Sequence, residues 1–165
     1  MKSRFLIIIA LFGFAITATA QEIAENAIGL RLGDANGLGA SISYQRAILE
    51  SNRLEVDFGW SNGKDYNGVK LVGLYQWVKP LQGDFNWYFG AGAGFSTYTF
   101  NNYRGRDEDH KDSFVFASGD IGVEYKFDFP LLLSLDLRPE LGFGDGAYSN
   151  NNLDLDVGVS ARYTF

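Results

Sequence analysis

The sequence contains no cysteine, which excludes a disulfide framework, a thiolate zinc site and lipid attachment through a thioether. A single histidine, His110, leaves no paired imidazoles for a metal centre. Basic residues number 14 against 20 acidic ones, a formal charge of −6. That balance argues against nucleic acid as a partner, because phosphate binding needs basic patches. No apolar run reaches the roughly 20 residues of a membrane-spanning helix. There is no glycine loop followed by a phosphate-binding lysine and no Gly-x-Ser-x-Gly elbow. The string GAGAG at Gly90–Gly94 sits inside an alternating stretch and reads as strand packing. Nothing in the sequence points to a cofactor. Proline is scarce, at three residues, whereas glycine is plentiful, at 20, and aromatics make up 16%. Strands joined by tight turns fit that composition.

The first twenty residues have the layout of a secretory signal. Lys2 and Arg4 precede the apolar run 5–16, and Ala18-Thr19-Ala20 is a small-x-small cleavage site. The expected division is a signal peptide over 1–20 and one domain over 21–165.

The last stretch carries the clearest pattern. From Leu153 to Phe165 every odd position is apolar (Leu153, Leu155, Val157, Val159, Ala161, Tyr163, Phe165), and every even one is polar or glycine. A strand with one apolar and one polar face produces this period of two. Seven earlier segments alternate similarly, near 27–33, 38–47, 53–61, 68–79, 85–98, 114–127 and 131–143. In 85–98 the glycines Gly90, Gly92 and Gly94 share a face, and Val72 and Leu74 of the preceding segment are candidates to fill the space they leave. Pro139 requires a missing ladder hydrogen bond or a bulge.

Eight segments of about ten residues suit a membrane β-strand, and the even count suits a closed antiparallel barrel. Closure is required in lipid, where an open edge would leave backbone groups unsatisfied. The expected fold is therefore all-β: an eight-stranded, up-and-down transmembrane barrel. Connections 34–37, 62–67, 100–113 and 144–151 would lie outside the cell. The shorter ones, 48–52, 80–84 and 128–130, would lie on the periplasmic side.

On this parity the polar face carries Arg31, Glu55, Asp57, Lys70, Asp120, Glu124, Asp136, Arg138, Glu140, Asp156 and Arg162. Enclosed charges of both signs are expected to pair and fill a narrow lumen. Tyr44, Trp77, Trp87, Phe127, Tyr163 and Phe165 fall near one end of their strands, and Trp60 and Tyr98 near the other, as an aromatic girdle requires. The cluster Asp107-Glu108-Asp109-His110-Lys111-Asp112 reads as a solvated loop tip. A divalent-cation site there, or a catalytic grouping of His110, Asp112 and Ser113, are the sharper alternatives.

The alternating terminal strand, the final Tyr163-x-Phe165 and the signal-like start resemble the small bacterial outer-membrane barrels of the OmpA, OmpX and opacity types. That resemblance implies an outer-membrane location, with lipid as the surroundings. It also implies that the assembly machinery recognises the last strand, Tyr163 and Phe165 above all. Such barrels act in envelope structure or surface adhesion more often than in catalysis, so a non-enzymatic role with a surface ligand at the outer loops is expected. The competing reading is a soluble lipocalin-type barrel with its apolar face turned inward, although the Gly-x-Trp of that family near the first strand is missing. A lipid-modifying outer-membrane enzyme is the weaker alternative.

Overall fold

The computed structural model describes residues 23–33, 39–62, 66–100, 110–143 and 153–165. Eight strands follow one another: β1 (Asn26–Gly33), β2 (Ala40–Leu49), β3 (Asn52–Asn62), β4 (Tyr66–Gln82), β5 (Phe85–Phe100), β6 (His110–Lys126), β7 (Leu131–Phe143) and β8 (Leu153–Thr164). Each pairs antiparallel with the next, and β1 pairs with β8 to close the barrel. The closing seam runs from Ala27↔Thr164 to Gly33↔Gly158. Outside the regular ladder, the Asn26 and Phe165 backbones exchange two further hydrogen bonds, at 3.1 and 3.0 Å.

The alternation resolves in one sense only. Ile28, Leu30, Val56, Phe58, Leu71, Phe89, Ile121, Leu135, Val157 and Val159 are exposed on the outer surface, while the charged positions between them are buried. The inward-apolar arrangement of a lipocalin-type barrel is thereby contradicted. On β5 the outer apolar band runs from Phe85 to Phe95 and gives way to Thr97. At the usual strand rise and barrel tilt that run stands about 25 Å tall, the height of the apolar band on membrane barrels.

Strand lengths are unequal. β4, β5 and β6 have 17, 16 and 17 residues, against 8 in β1, so one side of the wall rises well above the band. At the rim where β1 begins and β8 ends the connections are short. Glu50–Ser51 and Gly83–Asp84 are two-residue turns, and Gly83 takes a φ of 57° that favours glycine.

Several expected boundaries shift. β4 continues through Pro80 to Gln82, with a register irregularity between those residues, so the turn expected over 80–84 is confined to its end. Residues 110–113 are strand paired with Thr97–Phe100, not connection, because the ladder gains hydrogen bonds by extending. Similarly, β4 begins at Tyr66, inside the expected connection 62–67. Pro139 leaves a gap in the β6–β7 pairing opposite Gly119, with register unchanged on either side. Hence the lost hydrogen bond, and not a bulge, is what the proline causes. A Cβ at Gly119 would meet the Pro139 ring at 3.0 Å, so the glycine leaves room for it.

Candidate functional site: the charged lumen

An eight-stranded barrel is only wide enough for its own side chains, and here those side chains are mostly charged. Arg138, at the centre, is 1% exposed. Its Nη2 donates to Glu55 Oε1 at 2.6 Å and its Nη1 to Asp57 Oδ2. Its Nε faces Asp136 Oδ1 at 3.3 Å and Asp120 Oδ1 at 3.5 Å. Arg162 approaches from the terminal side. It bonds Glu55 Oε1 at 2.9 Å and the hydroxyls of Ser43 and Ser134, each at 2.8 Å. The other Glu55 oxygen accepts from Gln45 at 2.5 Å and Gln76 at 3.0 Å. One fully buried carboxylate thus ties together β2, β3, β4, β7 and β8. A buried charge is tolerated only with such complete pairing.

Two arms extend from this knot. Arg31 bonds Asp136 at 2.5 Å and Asp156 at 2.8 Å. On the terminal side Arg53 meets Glu124 at 2.7 Å and Gln76 at 2.6 Å, and its guanidinium lies 4.8 Å above the Tyr88 ring. Lys70 pairs with Glu140 at 2.8 Å near the far rim, where both are less deeply covered.

The lumen is not polar throughout. Val72, Leu74 and Phe116 form a buried apolar cluster with Phe114 against it. Val72 pairs with Gly94 and Leu74 with Gly92, as the expected filling of the glycine face requires. A Cβ on Gly94 would strike the Phe116 ring, and one on Gly92 would strike the Gly73 carbonyl. Beside this cluster, with Val72 in its wall, the far half of the lumen holds a cavity of about 40 Å³. It is bordered by Arg31, Ser41, Asp57, Lys70, Glu140 and Asp156, with glycines 33, 39, 59 and 68 in its walls.

All eleven charges expected in the interior point inward; Glu55, Asp57, Asp120, Asp136, Arg31, Arg138, Asp156 and Arg162 form one connected set, Glu124 joins it through Arg53 and Gln76, and Lys70 pairs with Glu140 nearer the far rim. Sequence reasoning missed Arg53. It shares the parity of Glu55 and Asp57, and only its place at the strand start hid it. Gln45, Gln76 and Asn86, which bond Glu55, Asp120 and Glu124, were legible by the same parity.

Of the expected girdle, Tyr44, Trp77, Trp87, Phe127, Tyr163 and Phe165 lie toward the terminal rim and Trp60 toward the far rim, all on the outer face. Trp77 and Trp87 both stack on Phe89, at 5.3 and 5.5 Å, and Tyr163 stacks on Phe165 at 6.1 Å. Tyr98 departs from the expectation. It shares the inner face with Ser96 and Tyr88, stacks on Phe114 at 6.1 Å and borders the cavity, because its even position on β5 points into the lumen.

Residues 107–109 of the acidic cluster lie outside the described residues. Ser113, grouped in sequence with His110 and Asp112, is exposed on a regular strand, and its hydroxyl donates to Thr97 Oγ1 at 2.9 Å. Among the described residues no group of His, Asp and Glu stands in a metal-holding arrangement.

No family model and no curated protein matches the chain. Solved structures do. The N-terminal β-barrel domain of Pseudomonas aeruginosa OprF aligns with a TM-score of 0.71 at 14% identity, over 88% of this chain and 100% of that one. The chain has the fold of the small outer-membrane β-barrels. Neisserial surface protein A aligns at 0.60 and 15% identity, covering 85% of this chain and 94% of that one. The attachment invasion locus protein of Yersinia pestis, Ail, aligns at 0.60 and 12%, covering 85% and 96%.

Proposed function

We propose that this chain is an exported outer-membrane barrel without catalytic activity, serving envelope structure or surface interaction through the rim opposite the Asn26–Phe165 end of the seam. The observation that carries the reading is the inversion of an ordinary protein. Large apolar side chains are exposed in a continuous band, and Arg138, Arg162 and Glu55 are buried within. In water such a surface would aggregate, whereas in lipid it is the stable arrangement. The lumen at the level of Arg138 is filled by its own ion pairs, so the interior stiffens the wall and the exchange with the surroundings falls to the rim. The tall side of the wall, β4 to β6, lifts residues 66–68, 97–100 and 110–113 above the apolar band and presents them to whatever meets the cell. Adhesion is supported by the printed description of Ail as an attachment protein, carried here by fold likeness.

Cell fractionation followed by detergent electrophoresis with and without boiling tests the assignment. Recovery in the outer membrane with a heat-dependent mobility shift is the expected result. A periplasmic or secreted product with no shift overturns it.

A further inference from the structure

Packing explains the inner-face glycines Gly29, Gly33, Gly68, Gly92, Gly94 and Gly122. A Cβ added at any of them would stand 2.6 Å or less from another heavy atom, so the close approach of a neighbouring group requires glycine there. Gly59 differs. It shares the inward parity of Glu55 and Asp57 and is buried. Yet a Cβ on it would meet nothing nearer than Ser41 Cβ, at 3.5 Å, an ordinary contact. Mid-strand, a residue with a side chain would hold the ladder better than glycine does. Gly59 therefore keeps open a volume for which the barrel's own packing has no use.

That volume belongs to the cavity of about 40 Å³, which Gly59 borders. Its enclosed part is room for about three water-sized bodies. Arg31, Asp57, Arg138 and Asp156 at its deep end are buried, whereas Gly33, Gly39, Lys70 and Tyr98 at the other end are partly exposed. The cavity is thus a blind pocket entered from the far rim. Its lining defines the occupant. The charges on its border match, Arg31, Lys70 and Arg138 against Asp57, Glu140 and Asp156, so the occupant is neutral. Its surface is mostly apolar, with Val72, Tyr98 and glycine backbone in the wall, so the occupant has apolar faces. Toward its mouth stands the Lys70–Glu140 pair, at 2.8 Å, beside which an occupant gains by carrying hydroxyls, groups that both donate and accept.

We propose that this pocket binds the terminal sugar of a neutral surface glycan, its hydroxymethyl arm in the space beside Gly59 and its ring against Tyr98. A pyranose unites the required properties. It has no charge, its C–H faces rest on aromatic rings, and its hydroxyls bridge an ammonium and a carboxylate. The hydroxymethyl arm is small enough for the enclosed volume, which leaves the ring at the partly exposed end. Tyr98 is held for that contact, stacked on Phe114 at 6.1 Å and lying across Gly68. The inference rests on the reading of the far rim as the surface of interaction and names the class of partner.

The test uses the full chain in lauryldimethylamine oxide micelles, a detergent without a sugar head group, with heat-dependent mobility as the sign of a folded barrel. The probes are the methyl glycosides of glucose, galactose, mannose and N-acetylglucosamine, with 1-hexanol as the apolar control. At least one glycoside should shift the amide resonances of Gly33, Gly59 and Lys70 saturably, with a dissociation constant of about 1–10 mM. Gly59→Val should abolish those shifts. Gly59→Ala, whose Cβ has room, should weaken binding about tenfold and serves where the valine variant fails to fold. A heat-modifiable barrel that no glycoside shifts overturns the sugar site while the outer-membrane assignment stands. Shifts undiminished in Gly59→Ala overturn it too, by placing the sugar elsewhere. So does saturable binding of 1-hexanol alone, which makes the pocket an apolar one. Failure of outer-membrane recovery is a different result and overturns the reading beneath it.

Discussion

Arg138 Nη2 stands 2.6 Å from Glu55 Oε1, with both side chains almost wholly covered. Glu55 also receives Arg162, Gln45 and Gln76, so its loss leaves two guanidiniums and two amides short of an acceptor at once. Glu55→Ala should destabilise the folded barrel by about 3–5 kcal/mol, the range for breaking a buried pair from one side. Glu140→Ala, which breaks the partly solvated pair with Lys70, should cost about 1 kcal/mol. Urea unfolding in micelles followed by tryptophan fluorescence reads both. Equal losses for the two variants would show that the lumen is wetter at Glu55 than its burial indicates.

The glycines of β5 make a second, separable prediction. The Phe116 ring fills the space beside Gly94, because a Cβ on Gly94 would stand 2.1 Å from the ring's Cζ. Gly94→Ala should therefore cost about 1–3 kcal/mol by overpacking, and Phe116→Leu in the same chain should recover part of that loss. Gly73→Ala, on the outer face with open space around the added carbon, should change stability by less than about 0.5 kcal/mol. A double variant no better than Gly94→Ala alone would place the strain in the backbone.

How much of this was legible beforehand follows from what a period of two can carry. Alternation identified eight strands, the inward set of charges and the role of Val72 and Leu74 opposite the β5 glycines, because each is a parity statement. Parity also held the information on Arg53 and Tyr98, which strand-end ambiguity obscured. Ion-pair partners were out of reach. Arg138 and Asp57 lie 81 residues apart on strands that are not neighbours, and only the stagger around the closed barrel brings them together. The ends of β4 and β6 extend past their alternating segments because backbone pairing continues where side-chain patterning stops.

The outer face predicts a depth dependence. Leu137 lies midway along β7, and Phe143 ends that strand at the far rim. In a lipid bilayer Leu137→Arg should cost about 2–4 kcal/mol and Phe143→Arg at most about 1 kcal/mol, since charge is most expensive at the midplane. Unfolding from vesicles gives both values. A cost independent of position would contradict a membrane spanning the band from Phe85 to Phe95.

The final residue separates closure from recognition. Phe165 exchanges two backbone hydrogen bonds with Asn26 across the seam, while its ring is exposed and stacks on Tyr163. Deleting Phe165 removes both contributions. Phe165→Ala removes the ring and keeps the backbone pair. At about 1 kcal/mol per hydrogen bond, the deletion should lower the stability of the purified barrel by about 2 kcal/mol, with a smaller loss for Phe165→Ala. If the assembly machinery reads the terminal ring, the two variants should be equally slow to appear as heat-modifiable protein in the outer membrane, despite that difference in stability. Insertion of Phe165→Ala at the rate of the unaltered chain would leave the seam as the only role of the terminus, and the recognition signal would then have to lie further back, at Tyr163.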